Sequence, residues 1–230
     1  MNRCWIKLCG TTNYEDALLA WESDADAIGF IFIQGSKRCV TVEQARAIIE
    51  QLARPIERIG ITQNASIEEA LALATSCGLS GLQLHGEEAP EYVCRLRERM
   101  PQARLIKVVH VPSSNALRPT LERQIAKYQG CGADNLLLDS AYAGASGGTG
   151  RRFDVVIAAN ALRNAGNKLP FIVAGGLTPE GVDDAIALLL PFGVDVASGI
   201  ERQPGKKDPD KLRAFIQAAR AENTGKVQIA

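Results

Sequence analysis

The 230-residue chain has no excess of either charge: Lys plus Arg and Asp plus Glu number 26 each. A neutral balance speaks against a general nucleic-acid binder and against adhesion to an anionic membrane surface. No apolar run approaches the ~20 residues of a membrane span. Residues 1–5 lack the charged-then-apolar pattern of a secretion signal. The six cysteines (Cys4, Cys9, Cys39, Cys77, Cys94 and Cys131) include no CxxC pair, and His85 and His110 are the only histidines. A zinc site is therefore not expected, and reduced thiols in the cytoplasm are. The first apolar segment is followed by Gly10-Thr11-Thr12-Asn13-Tyr14 rather than GxGxxG, which argues against a dinucleotide fold. A glycine-rich stretch, residues 144–150 (GASGGTG), lacks the Gly-Lys-Ser/Thr ending of a nucleotide-binding P-loop. No Pro-, Gly- or Ser-rich linker divides the chain, so a single domain is expected over residues 1–221, with an aperiodic, disordered tail at 222–230.

What is present is ordinary globular material, 46% hydrophobic and 23% charged, enough for a sizeable core. Period-two apolar runs alternate with amphipathic runs along the whole length. Strands are expected at 3–9, 27–33, 56–61, 81–85, 104–110, 135–139, 171–174 and 194–197. Helices are expected between them, with Asn13, Thr41, Ser66, Thr178 and Asp208 placed to cap five of them. Pro119 marks a start or a break in the irregular stretch 112–132. Eight strand–helix units predict a single-domain α/β fold, the (β/α)8 TIM barrel, with an open doubly wound sheet as the alternative.

In such a barrel the chemistry sits where the strands end. Those ends are Cys9, the Lys37-Arg38 loop, Gln63, His85, His110, Asp139, Gly175-Gly176 and Ser198-Gly199, all polar groups or glycines. Glycines after the seventh and eighth strands let backbone N–H groups approach an anion, which predicts a phosphate site there; tight turns alone would also use them. Asp139 closes the apolar run Leu136-Leu137-Leu138, where burial raises a carboxyl pKa and suits a general acid; a turn-capping Asp is the simpler reading. Lys7 shares a strand face with Cys9. It can favour the thiolate or pair with Asp195 inside the barrel. Arg38 can clamp a carboxylate or stand solvated in its loop. His85 can touch substrate or the backbone. The 144–150 loop has the composition of a lid, and Gly148 within it is a candidate substrate contact.

The segments Lys7-Leu8-Cys9-Gly10, Lys37-Arg38, Gln83-Leu84-His85-Gly86, Leu138-Asp139-Ser140, Gly147-Gly148-Thr149-Gly150 with Phe153-Asp154, Ala174-Gly175-Gly176-Leu177-Thr178-Pro179-Glu180 and Gly193-Val194-Asp195-Val196-Ala197-Ser198-Gly199-Ile200-Glu201 with Lys207-Asp208 together resemble the phosphoribosylanthranilate isomerase family of tryptophan biosynthesis. They span nearly the whole chain in order. Departures are small: Val155, Ala197 and Thr62 stand where the family pattern favours other residues. The resemblance implies an Amadori rearrangement of N-(5'-phosphoribosyl)anthranilate with Asp139 as general acid and Cys9 as general base. It implies phosphate held at Gly175, Gly176, Ser198 and Gly199, and Arg38 facing the anthranilate carboxylate. It implies no cofactor, no metal, a small phosphorylated substrate as partner, and a monomer or homodimer. Another sugar-phosphate isomerase, a Schiff-base enzyme built on Lys7, and a barrel that only binds phosphate are the alternatives.

Overall fold

The period-two runs are strands, and they close on themselves. The computed structural model of the chain describes residues 3–112, 114–140 and 155–221. In it β1 (Trp5–Cys9), β2 (Ala27–Ile31), β3 (Glu57–Thr62), β4 (Gly81–Leu84), β5 (Arg104–Val111), β6 (Asn135–Ser140), β7 (Phe171–Val173) and β8 (Gly193–Val196) pair in parallel as one closed barrel. Helices α1 (Tyr14–Glu22), α2 (Val42–Leu52), α3 (Ile67–Cys77), α4 (Pro90–Arg99), α5 (Arg118–Lys127), α6 (Val155–Asn164) and α7 (Val182–Leu189) connect successive strands, and α8 (Pro209–Arg220) follows the last. Parallel neighbours require such crossovers, and the helices cover the outer strand faces.

Alternation along each strand divides the apolar residues into two cores. Ile6, Leu8, Ile28, Phe30, Leu82, Leu84, Leu136 and Leu138 point outward beneath the helices. Trp5, Ala27, Ile59, Ile106, Val108, Leu137, Ile172 and Ala174 point inward and fill the barrel. The same parity turns Lys7 and Cys9 of β1, Gln83 of β4, His110 of β5, Asp139 of β6 and Asp195 of β8 inward, above that filling. The register that closes the barrel sets Lys7 opposite Asp195.

Local chemistry fixes where the helices begin. Asn13 accepts from the Asp16 N–H at 2.8 Å, and Thr41 with Gln44 and Ser66 with Glu69 form reciprocal capping boxes. Asp208 accepts from the N–H groups of Asp210 and Lys211. Pro119 lies in the first turn of α5, so it starts that helix rather than breaking it. Thr178 does not cap: α7 begins at Val182, and the Thr178 carbonyl instead accepts from Gly181 and Val182 N–H groups in the preceding turn. The first strand starts at Trp5 rather than residue 3, because Arg3 turns outward to Asp24 and Asp26 at 2.9 and 3.0 Å. A two-stranded hairpin, β9 (Glu201–Gln203) with β10 (Lys206–Lys207), intervenes between β8 and α8; it is too short to show periodicity in sequence. The 144–150 loop, Gly148 in it, the start of the helix expected from 153, and the 222–230 tail lie outside the described residues. Among the described residues no helix is long and apolar enough to cross a membrane.

Candidate active site

At the carboxyl ends of the strands a cleft opens, lined by Cys9, Arg38, Gln83, His85, Asp139, Gly175, Gly176, Asp195, Ser198 and Gly199 among others. Of the expected site residues, Cys9, Arg38, His85, Asp139, Gly175, Gly176, Ser198 and Gly199 all meet there. Gln63 does not: one residue beyond β3 it is exposed and faces the groove between α2 and α3. Gln83, one residue before the end of β4, reaches the cleft because it shares the inward parity of His85.

Cys9 and Asp139 stand on buried backbone, and burial dominates both. The Asp139 carboxyl is pushed up to about 7, first by desolvation and then by the Asp195 charge, with the Ser140 backbone and Lys7 pulling the other way. Burial likewise pushes the Cys9 thiol above its ordinary value; Lys7 and Lys207 oppose this without reversing it. Of the two alternatives for Lys7, the structure shows the pairing with Asp195, and its charge does not bring the Cys9 thiol below its ordinary value. Lys7 Nζ lies 2.8 Å from Asp195 Oδ1, both side chains buried. Burial works against the Lys7 cation, but Asp195 and Cys9 together outweigh it and the ammonium keeps its proton. A protonated, paired amine is not a nucleophile, which argues against the Schiff-base alternative.

Arg38 is not a solvated loop residue. Its Nε and Nη2 donate to the two carboxylate oxygens of Glu201 at 2.8 and 2.6 Å, a planar two-point pairing that fixes the guanidinium plane. Burial alone would raise the Glu201 pKa; the Arg38 hydrogen bond and the Lys207 charge bring it below the usual value. Lys207 Nζ in turn donates to the Cys9 carbonyl at 2.6 Å and to Glu201 at 3.2 Å. The β9–β10 hairpin thus ties Arg38 to the end of β1. Gly10 makes the approach possible: it sits at φ +76°, and a Cβ there would come within 2.5 Å of Arg38 Cδ.

His85 is held from behind. Lys107 Nζ donates to the carbonyls of Leu84 and Gly86 at 3.0 and 2.7 Å and to Glu88 at 2.8 Å. Glu88 accepts from the N–H groups of Asn64 and Gly86, and Tyr128 donates to the Glu88 carbonyl. The His85 ring is pushed down to about 4, mainly by burial and then by His110 and Lys107, so it is neutral at physiological pH. Sequence reasoning missed Glu201, Lys207, Glu88 and Lys107 as supports of the site. Buried salt bridges between residues 19 and 163 positions apart leave no local pattern to read.

The turn after β7 carries two consecutive left-handed residues, Gly175 at φ +88° and Gly176 at φ +67°. A Cβ on Gly175 would stand 2.8 Å from Asp139 Oδ1 and 2.7 Å from the Ser140 nitrogen. A Cβ on Gly199 would collide with the Leu177 carbonyl, so the turns after β7 and β8 pack directly on each other. Gly175→Ala is expected to displace the Asp139 carboxylate and cost on the order of 100-fold in kcat, the effect of roughly 1 Å of misplacement. Steady-state kinetics on a variant with unchanged thermal melting checks this; full activity would show that the turn relaxes away from Asp139.

Comparison with known proteins places this geometry in context. Residues 6–218 match the family model for N-(5'phosphoribosyl)anthranilate (PRA) isomerase. The chain is 42% identical over 222 residues to the N-(5'-phosphoribosyl)anthranilate isomerase of Pelobacter propionicus, covering 95% of this chain and 98% of the relative. It is 40% identical over 222 residues to the enzyme of that name from Thermotoga neapolitana, covering 94% and 98%. Among solved structures, phosphoribosyl anthranilate isomerase from Thermotoga maritima superposes with a TM-score of 0.80 at 36% identity over 94% of this chain and 98% of that one. A phosphoribosyl anthranilate isomerase in complex with reduced 1-(o-carboxyphenylamino)-1-deoxyribulose 5-phosphate gives a TM-score of 0.77 at 35% identity over the same shares.

Proposed function

The chain belongs to the N-(5'-phosphoribosyl)anthranilate isomerase family and isomerises that substrate in tryptophan biosynthesis; from that premise we propose that Asp139 is its general acid and Cys9 its general base. The observation carrying this assignment is that both groups project into one cleft, from β6 and β1, beside the glycine turns after β7 and β8.

Asp139 gives its proton to the ribose ring oxygen as the bond from that oxygen to C1 breaks, leaving an iminium between C1 and the anthranilate nitrogen. The Cys9 thiolate takes the proton from C2. The C–H electrons form the C1–C2 double bond, and the iminium electrons return to nitrogen. The enolamine then gains a proton at C1 and loses the one on the C2 hydroxyl, yielding 1-(2-carboxyphenylamino)-1-deoxyribulose 5-phosphate. The cationic iminium lowers the cost of a buried thiolate beside it. Free backbone N–H groups support phosphate at Gly175 and Gly176, which among the described residues donate to no acceptor. The turn at Ser198 and Gly199 completes that cradle. Arg38, its plane fixed by Glu201, faces the anthranilate carboxylate, and Gly148 is a further substrate contact. Six free cysteines support a reducing cytoplasmic setting. A monomer or homodimer accommodates this single-chain site.

The first test generates the substrate in situ and follows loss of its fluorescence against the spontaneous background. Protein-dependent decay without free anthranilate is expected; release of anthranilate instead would indicate hydrolysis. A second expectation concerns pH. The acid titrates near 7 and the base above the ordinary thiol value, so the pair is in reverse order. The fraction with Asp139 protonated and Cys9 ionised falls below about pH 7, is flat between the two values, and falls again above the thiol's. The kcat/KM profile is expected to show that plateau, with macroscopic inflections belonging to the pair. Activity that climbs steadily from pH 7 to 5 would remove this assignment.

A further inference from the structure

Two histidines and an aspartate that the sequence keeps 25 and 29 residues apart share the rim of the cleft. His85 follows β4, His110 lies in β5, and Asp139 in β6 is the direct pairing partner of His110. One ligand atom from each lies within 4.8 Å of the other two. The geometry points to a binding site for a divalent transition cation of the zinc class, formed by His85, His110 and Asp139, whose occupation shuts down the isomerase by engaging its acid.

Parity makes the cluster. His85 just beyond β4, His110 of β5 and Asp139 of β6 continue the inward parity of Gln83, Val108 and Leu137, so all three side chains face the mouth. The rings of His85 and His110 meet edge to face, 5.2 Å between centroids. Tetrahedral ligands held at about 2.0–2.2 Å from one zinc ion stand roughly 3.3–3.6 Å apart. Closing from 4.8 Å asks each of two facing side chains for roughly 0.7 Å, within reach of side-chain torsions. Three ligands leave open positions for water. Imidazole nitrogen selects zinc, cobalt, nickel or copper over magnesium and calcium, which demand oxygen.

The surroundings suit a ligand set. Gln83 Nε2 lies 3.4 Å from His85 Nδ1, while Gln83 Oε1 is buried and has no partner among the described residues. Amide nitrogen and oxygen are interchangeable by a half-turn. Turned over, Oε1 accepts from Nδ1–H and leaves His85 Nε2 with its lone pair toward the ion, the usual outer support of a metal-bound histidine. Lys107 and Glu88 already hold the His85 loop rigid. With only two histidines in the chain a metal centre looked unavailable from sequence; spacing in the chain hid the fact that both, with Asp139, share one rim.

Inhibition rests on the reading of Asp139 as the acid: a carboxylate bonded to the ion has no proton to give. The experiment separates the two claims. Purified, thiol-reduced protein is titrated with Co²⁺ alone and its visible d–d absorption recorded; the isomerase rate is measured against Zn²⁺ and again after EDTA. Expected are a saturable d–d spectrum and loss of turnover that EDTA reverses. His110 is exposed and has no part in the proposed acid–base or phosphate contacts. In His110→Ala and His110→Asn, basal kcat and melting are expected to be unchanged, while metal affinity and Zn²⁺ sensitivity fall by at least the ~10–100-fold that losing a mere supporting residue costs. No Co²⁺ spectrum, a cobalt–thiolate charge-transfer absorption, or a spectrum indifferent to His110 overturns the site and leaves the acid–base assignment standing. A Co²⁺ spectrum lost in both His110→Ala and Asp139→Asn, with turnover unaffected by metal, upholds the site and overturns Asp139 as the acid.

Discussion

Asp139→Asn is expected to lower kcat by at least the ~100-fold that a positioned acid contributes, while making the protein more stable at neutral pH. The amide keeps the shape of the carboxyl and its place on β6, so substrate affinity should change little. What it lacks is a transferable proton for the departing ring oxygen. The stability gain follows from the cost of burying the charge. In the folded protein the Asp139 carboxyl titrates near 7, against about 3.9 in an unfolded chain. Between those values the folded state holds a proton that the unfolded state has lost, so stability falls as pH rises through that window. Above it the full penalty of the buried carboxylate is present. Asparagine carries no such penalty, so the variant's melting temperature should exceed the parent's by more at pH 8 than at pH 5. Fluorescence-decay kinetics and thermal melts at the two pH values check both halves. Near-normal turnover would exclude Asp139 from proton transfer. A variant less stable at pH 8 would mean that the charge of Lys7 more than compensates the burial.

Cys9→Ala is expected to be comparably severe, again at least ~100-fold in kcat, for a different reason. Alanine leaves the C2 proton with no acceptor on the β1 side of the cleft, although ring opening by Asp139 remains available. The variant should therefore bind substrate normally and fail after the iminium. A C2-deuterated substrate separates these stages: because removal of the C2 proton limits the variant, its residual rate should show a full primary isotope effect, at least as large as the parent's. Cys9→Ser should fare no better, because a buried hydroxyl ionises with far more difficulty than a thiol. Removing one sulfur at the rim costs little packing, so melting temperature serves as the control. A fully active Cys9→Ala protein would pass the base role to another group in the cleft.

The two residues on which these effects depend were legible in the sequence because parity is a local property. A run such as Leu136-Leu137-Leu138-Asp139 announces a strand and its end. Lys7-Leu8-Cys9-Gly10 announces inward Lys and Cys. The glycines after the seventh and eighth strands were legible for the same reason, since only residues without a Cβ accept φ +88° and φ +67° in succession. Gln63 misled because strand ends carry no sharp signal. Gln63 continues the inward parity of Ile59 and Ile61, but β3 ends at Thr62 and the chain bends away before that next inward position. Thr178 misled because a Thr-Pro-Glu sequence suits a cap equally well in a turn one step before the helix.

By itself, then, the sequence determined the alternation of strands and helices, the parallel barrel they imply, and the placement of Cys9, Asp139 and the glycine turns at the strand ends; the family was read from the resemblance of whole segments. The alternation and the turns are set by periodicities of two and 3.6 residues or by glycine's backbone freedom, and need no distant partner. Tertiary structure alone decided which charges meet. It paired Lys7 with Asp195 across the barrel seam, Arg38 with Glu201 over 163 residues, and Lys107 with Glu88 beneath His85. It set the direction in which burial moves Cys9 and Asp139, and it gathered His85, His110 and Asp139 at one rim. Electrostatic energy depends on distance in space and on the water excluded between groups, and neither quantity is written in the order of the residues.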